Sequence, residues 1–187
     1  MKKGDNSMKT LKTIQTLSKI SKVISKIIFI FSIVGLCLCI FGILSLFIGF
    51  EGLKLGGVTL QSIIQSKADV SEGTLYATMF EGAVYCVGTM TLAKFAENYF
   101  KRELNDGTPF TLDGSKELLR LGILSVCIPL AVQVVSSIGH SIISKILPDV
   151  SPSELDPGVS VGIGVALIVI SLLCKYGAEL SKDNDEQ

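Results

Sequence analysis

The sequence has little charge, and what it has cancels. Only 18% of its 187 residues are Asp, Glu, Lys or Arg, with 17 basic side chains against 17 acidic ones. A nucleic-acid reader that relies on gross positive charge is therefore not indicated, while a hydrophobic fraction of 48% excludes disorder. Histidine occurs once, as His140, which rules out a histidine-rich metal site and a His-Glu-x-x-His motif. The five cysteines, Cys37, Cys39, Cys86, Cys127 and Cys174, all fall in apolar runs, so no exported disulfide framework is indicated. Cys37 and Cys39 point to different helix faces and have no partnering ligand cluster. No phosphate-binding glycine loop is present either, since Gly158, Gly162 and Gly164 lie inside an apolar run. Ser-His-Asp catalysis would have to join His140 to a membrane-facing serine. The sequence thus carries no enzyme signature and calls for no cofactor.

What is abundant is clumped. Mean hydropathy is +0.55, and the apolar residues gather in long runs rather than in short periodic segments. Residues 27–50 are 24 positions without a charge. At ~1.5 Å per residue they cover ~36 Å, more than the roughly 30 Å hydrocarbon core of a bilayer. A signal peptide is the competing reading. The preceding polar region is 26 residues long and Glu51-Gly52-Leu53-Lys54 offers no small-x-small cleavage site, so an uncleaved span is expected. Residues 121–143 and 157–174 are uncharged runs of 23 and 18 residues, with His140 taken as neutral.

A fourth run, residues 74–93, is weaker because it contains Glu81. Leu75, Phe80, Val84, Val87 and Leu92 together favour insertion by about 2 kcal/mol, whereas an acidic residue near a span centre costs roughly 2.5–3.5 kcal/mol. Alone it inserts marginally, and neighbouring helices must help it. The basic residues argue that it crosses. With four spans, near 27–50, 74–93, 118–143 and 157–176, and both termini cytoplasmic, 14 Lys and Arg lie inside and 3 outside. Three spans would separate the lysine-rich N-terminus from the basic middle connection. The expected fold is all-α, an integral membrane four-helix transmembrane bundle occupying residues 27–176. Residues 1–26 precede it as a basic amphipathic segment, and residues 177–187 follow as an acidic cytoplasmic tail.

In residues 8–26 apolar side chains recur at Leu11, Ile14, Leu17, Ile20 and Ile24 and run on to Ile27, with lysines on the other faces. This spacing predicts an amphipathic helix continuous with the first span and drawn to anionic lipid at the inner interface. Outside, residues 51–73 form a Gly- and Ser-containing loop with an apolar patch at Val58, Leu60, Ile63 and Ile64. Residues 144–157, with Pro148, Pro152 and Pro157, read as a rigid acidic connector. Inside, residues 93–104 are expected to extend the second span as a helix. Asn105-Asp106-Gly107 supplies a turn, Pro109 forbids continuation, and Thr111 or Asp113 caps the next helix.

That connection resembles a known family. Gly107-Thr108-Pro109-Phe110-Thr111 with Leu118-Leu119-Arg120-Leu121-Gly122-Ile123 is similar to the signature between the second and third spans of the bacterial membrane family called domain of unknown function 2975. Cys174-Lys175-Tyr176-Gly177-Ala178-Glu179-Leu180 resembles that family's tail. Ser181 stands where members usually have Gln, but Asp183, Asp185 and Glu186 keep the acidic character. The resemblance covers roughly residues 25–187. It implies a small bacterial plasma-membrane protein, often encoded near a helix-turn-helix regulator, and brings no established activity.

Glu81 is the one formal charge within a span. On the third span Ser125, Pro129, Gln133, Ser136 or Ser137, and His140 recur every three to four residues as a polar stripe that should face the interior. Glu81 and Gln133 should share a depth. Glu81, Gln133 and His140 could then line a polar pocket open to the outside, a candidate proton or cation site; the plainer reading is a structural hydrogen-bonding acid. Small residues form two further stripes, Ser32, Gly35, Cys39, Gly42 and Gly49 on the first helix and Gly158, Gly162 and Ala166 on the fourth. They suit close packing within the bundle or between copies in a homo-oligomer. On the cytoplasmic side, Lys101, Arg102, Gly107, Pro109, Phe110 and Thr111 form a candidate interaction loop. The leading expectation is a non-enzymatic sensor, scaffold or regulatory membrane partner of a cytoplasmic protein, with a transcription regulator implied by the family resemblance and no direct contact with nucleic acid. The alternative is a small transporter or channel component centred on Glu81.

Overall fold

The computed structural model describes residues 3–48, 54–55, 58–59, 71–106, 111–147, 150–151 and 158–185. Four helices account for nearly all of them: α1 (Lys3–Ile48), α2 (Glu72–Asp106), α3 (Leu112–Ile146) and α4 (Gly158–Asp185). Between α1 and α2, β1 (Lys54–Leu55) pairs antiparallel with β2 (Val58–Thr59), Lys54 opposite Thr59 and Leu55 opposite Val58. The fold is all-helical apart from this two-residue ladder. Leu60, Ile63 and Ile64 of the expected loop patch, Gly49 of the first small-residue stripe and the prolines of the outer connector lie outside the described residues.

Three helices are long and apolar enough to cross a membrane, over Lys12–Ser45, Leu112–Ile146 and Val161–Leu180, the mark of a membrane protein. Though 35 residues long, α2 is not among them. Its central stretch holds Glu81 among Thr, Tyr and Gly residues, as the marginal insertion arithmetic anticipated.

The second and third helices, α2 and α3, start where a side chain can accept a free backbone N–H. Ser71 Oγ accepts from Thr74 N at 3.3 Å, and Thr111 Oγ1 accepts from Gly114 N at 2.9 Å, so Thr111 rather than Asp113 caps α3. The Ser151 N–H donates to Thr74 Oγ1 at 3.0 Å, fastening the start of α2 to the segment after α3. α2 carries Asn105 and Asp106 within its last turn, so the helix runs further than the turn chemistry of those residues indicates. Pro129 sits inside α3, where it leaves the Ser125 carbonyl without its helical donor.

The chain sorts into two compact units. The first comprises Met1–Ile30, Thr89–Leu130 and Asp156–Gln187, the second Phe31–Gly88 and Ala131–Leu155. In the first, Tyr99 of α2, Leu118 and Leu121 of α3 and Cys174 of α4 are buried together, with Phe95, Ala96, Phe100 and Leu167 packed around them. There α3 and α4 meet backbone to backbone. A Cβ on Gly122 would lie 2.8 Å from Ile168 Cγ1 and 3.2 Å from the Gly164 carbonyl oxygen, and one on Gly164 would lie 3.0 Å from the Gly122 oxygen. The expected α4 stripe of Gly158, Gly162 and Ala166 is therefore corrected. Gly164 makes the close approach, while Gly162 has open space around it and Ala166 is exposed.

The second unit packs by the same device. A Cβ on Gly35 would lie 3.0 Å from Cys86 Sγ, one on Gly42 3.0 Å from Met79 Sδ, and one on Gly82 3.1 Å from Cys39 Sγ. Gly35, Cys39 and Gly42 thus do what their spacing predicts for α1. Cys37, on another face, is exposed.

Polarity is inverted relative to a water-soluble domain. Large apolar residues such as Phe31, Leu38, Val134 and Leu173 are exposed, while the buried polar residues among those described are all serines: Ser18, Ser25, Ser32, Ser115, Ser136 and Ser171. Against lipid tails an outward Leu loses nothing, whereas small interior side chains let backbones approach. Most of these serines return their hydroxyl to their own helix, Ser25 Oγ to the Ser21 oxygen at 2.9 Å and Ser171 Oγ to the Ile168 oxygen at 2.7 Å.

Candidate intramembrane site

Glu81 lies on α2 nine residues after its start, and His140 lies on α3 six residues before its end. Glu81 Oε1 and His140 Nδ1 are 3.3 Å apart, with side chains only 16% and 19% exposed. The neighbouring residues explain the meeting. A Cβ on Gly139 would fall within the ring of Phe80, so only glycine leaves room for that ring against α3. Phe80 docked on Gly139 sets the next residue of each helix, Glu81 and His140, side by side. Beside Glu81, Gly82 admits Cys39 of α1.

Chemically the pair has two ways to bond. A neutral imidazole with its hydrogen on Nδ1 donates to the ionised carboxylate, and the other tautomer accepts from the protonated acid. Either arrangement gives the carboxyl group a hydrogen-bond partner on the neighbouring helix.

The residues of the α3 polar stripe differ in burial. Ser125, Pro129, Gln133 and His140 are half-buried, and Ser136 rather than the exposed Ser137 is its fully buried member. Ser136 is 1% exposed, and its hydroxyl has no hydrogen-bond partner among the described residues. The depth match between Glu81 and Gln133 needs correcting. Glu81 meets His140, and Gln133 sits two turns away along α3, ~10 Å at ~1.5 Å per residue. Residues 118–143 as a span stop short of the helix end at Ile146, which displaces the level assigned to each α3 side chain. A cavity of about 340 Å³ in the same unit is lined by Ile43, Tyr76, Phe80, Ile143, Ile146 and Leu147. It is apolar and holds none of the three polar residues.

The expected cytoplasmic residues separate. Arg102 is committed to Glu117, its Nη1 2.6 Å from Glu117 Oε1, and this clamps α2 to α3. Lys101 is exposed, Thr111 serves as the cap, and Gly107, Pro109 and Phe110 lie outside the described residues. Around them, Arg120 stands over the Phe95 ring and Lys94 over the Phe29 ring, each 5.3 Å from the centroid. Lys94 also bonds Glu97 at 3.0 Å and holds that carboxyl below the usual range. Ser18 of α1 donates to Glu103 Oε1 of α2 at 2.9 Å. Burial pushes the Glu103 carboxyl up against the opposing pull of that bond, and burial, aided by the Glu103 charge, pushes the Tyr99 hydroxyl well up too.

Sequence reasoning missed Gly139 and Phe80. The only signal for them is a glycine next to the lone histidine on one helix and an aromatic next to the lone acid on another. The arrangement of metal-binding side chains adds nothing, since no group of three or more His, Cys, Asp or Glu gathers among the described residues. No family model, no curated protein and no solved structure matches this chain.

Proposed function

We propose that this chain is a non-enzymatic, multi-pass membrane protein that acts as a sensor, scaffold or regulatory partner of a cytoplasmic protein. It is a four-span bundle with α2 as the fourth crossing and both termini cytoplasmic, in the plasma membrane of a bacterium of the resembled family. The observation that carries this reading is the braced segment beyond the inner ends of the spans. There Ser18 of α1 bonds Glu103 of α2, and Arg102 of α2 pairs with Glu117 of α3, which links the helices on either side of residues 107–110. Linked helices flanking a connection with this sequence suit recognition of a soluble partner. The crossing by α2 is supported by the pairing of Glu81 with His140, which partners the acid that made this span costly, and by the 14-to-3 division of basic residues. Cross-linked pull-down from membranes tests the reading: a partner retained by the intact chain and lost on Pro109→Ala with Phe110→Ala supports it, and no partner at all overturns it. A helix-turn-helix regulator is the candidate the family resemblance supplies.

A second reading is favoured by the Glu81–His140 pair itself. A titratable pair inside a membrane domain is the equipment of a proton or cation site, and it would make the protein a small transporter or channel component. Proton or monovalent-cation flux into vesicles, compared between the intact protein and Glu81→Gln, decides it. Flux unchanged in a folded Glu81→Gln protein removes this reading.

A further inference from the structure

The apolar stripe at the start of α1 has no cover in the molecule. Leu17 is 63% exposed, and Ile20, Ile24 and Ile27 are about half exposed. The opposite face carries the buried Ser18 and Ser25, and Ser18 is bonded to Glu103, so α1 cannot roll to hide the stripe.

The uncharged run at residues 27–50 alone covers ~36 Å at ~1.5 Å per residue, enough to fill roughly 30 Å of hydrocarbon. With the first span at residues 27–50, as proposed above and on which this inference rests, Leu17, Ile20 and Ile24 stand on the water side. Lys19, Lys22 and Lys26 lie interleaved with them.

The steps from Leu17 to Ile20, Ile24 and Ile27 are three, four and three residues, the spacing of a coiled-coil seam. The positions that flank such a seam are Thr16, Ser21, Val23 and Ile28, none of them charged. Lys12, Lys19, Lys22 and Lys26 fall on positions pointing away from it. Two such helices can therefore approach without like charges meeting. The spacing continues along the same helix at Phe31, Val34, Leu38 and Phe41, all exposed. We infer that this stripe is a dimer seam whose occupant is α1 of a second copy, packed in parallel. A second copy enters the same membrane the same way round and presents the identical stripe at the identical height, which is what a two-fold interface requires.

Cysteine cross-linking of the full-length protein in native membranes tests this. Leu17→Cys, Ile20→Cys and Ile24→Cys are single changes at exposed positions and leave the packed face intact. Lys19→Cys and Lys22→Cys serve as controls, with the parent protein reporting its native thiols. A cross-linked homodimer at 17, 20 and 24, lost at 19 and 22, is the expected result. Rapid labelling of 17, 20 and 24 by a water-soluble maleimide without any homodimer overturns the inference, as does a cross-link to a protein of different mass. Failure of these positions to label until detergent is added also overturns it, and traces the fault to the placement of the first span rather than to the seam.

Discussion

The ring of Phe80 occupies the volume that a side chain on residue 139 would need. Because Glu81 and His140 follow directly on these two residues, this acid and the single histidine of the sequence are brought together by an apolar fit rather than by their own attraction. The fit is therefore the more sensitive point. Gly139→Val should destabilise the protein by about 1–3 kcal/mol, since the ring must move or leave its rotamer. Thermal unfolding in detergent measures this, and Phe80→Ala in the Gly139→Val background should cost less than it does in the parent.

Coupling within the polar site should be selective. A double-mutant cycle of Glu81→Gln with His140→Ala should show an interaction energy of about 0.5–3 kcal/mol, whereas Glu81→Gln with Gln133→Ala should be additive within about 0.5 kcal/mol. Equal coupling in both cycles would mean that Gln133 reaches the pair.

Gly122 and Gly164 mark the closest approach of α3 to α4, and Gly162 is the internal control. Gly164→Leu should cost at least about 1–3 kcal/mol through overpacking against Val126 and the Gly122 carbonyl. Gly162→Ala should be neutral or gain up to about 1 kcal/mol of helix propensity. Chemical unfolding of the two variants side by side reads the contrast.

Glu103 makes stability fall with rising pH. Its carboxyl is raised above the ordinary value of 4.5, so folding is favoured by its protonated form. That contribution is complete below the ordinary value and is lost as pH climbs through the raised one. Glu103→Gln keeps an acceptor for Ser18 and should raise the unfolding midpoint at neutral pH while flattening this part of the pH profile. Glu103→Ala should flatten the profile in the same way but, lacking the acceptor, should not raise the midpoint.

The Ser136 hydroxyl is buried without a hydrogen-bond partner among the described residues, a state that costs about 1–3 kcal/mol. Ser136→Ala should therefore be neutral or stabilising, while Ser171→Ala should destabilise by about 0.5–1.5 kcal/mol through loss of its bond to the Ile168 oxygen. A lowered midpoint for Ser136→Ala, read in the same thermal scan, would show that this hydroxyl has a partner in the membrane.

Uncharged runs made three of the helices legible in the sequence, because the thickness of a bilayer converts directly into a number of apolar residues. The small-residue stripe on α1 was legible too, since Gly35, Cys39 and Gly42 stand at spacings that only one helix face can hold. The choice between Gly162 and Gly164 on α4 was not. Both belong to apolar, glycine-spaced series, and which one meets α3 depends on how α4 is rotated about its axis, which its partner decides. The pairing of Glu81 with His140 was hidden for a related reason. Matching levels on antiparallel helices requires both helix ends, and hydropathy locates the end of the apolar run rather than the end of the helix. At Ile146 the two differ by three residues, which accounts for part of the seven-residue step from Gln133 to His140.

Helix contacts built on serine, glycine and cysteine beside an outward apolar surface alter the usual map of mutational tolerance. On the outward faces away from the α1 seam, where Val134 and Leu173 stand, Leu, Ile, Val and Phe are interchangeable, and a charge is penalised. Inside, at the glycines where helices touch, bulk is what counts, because a single added branch forces two helices apart. Random mutagenesis of this protein should therefore accumulate conservative apolar swaps at its surface and leave its smallest residues untouched.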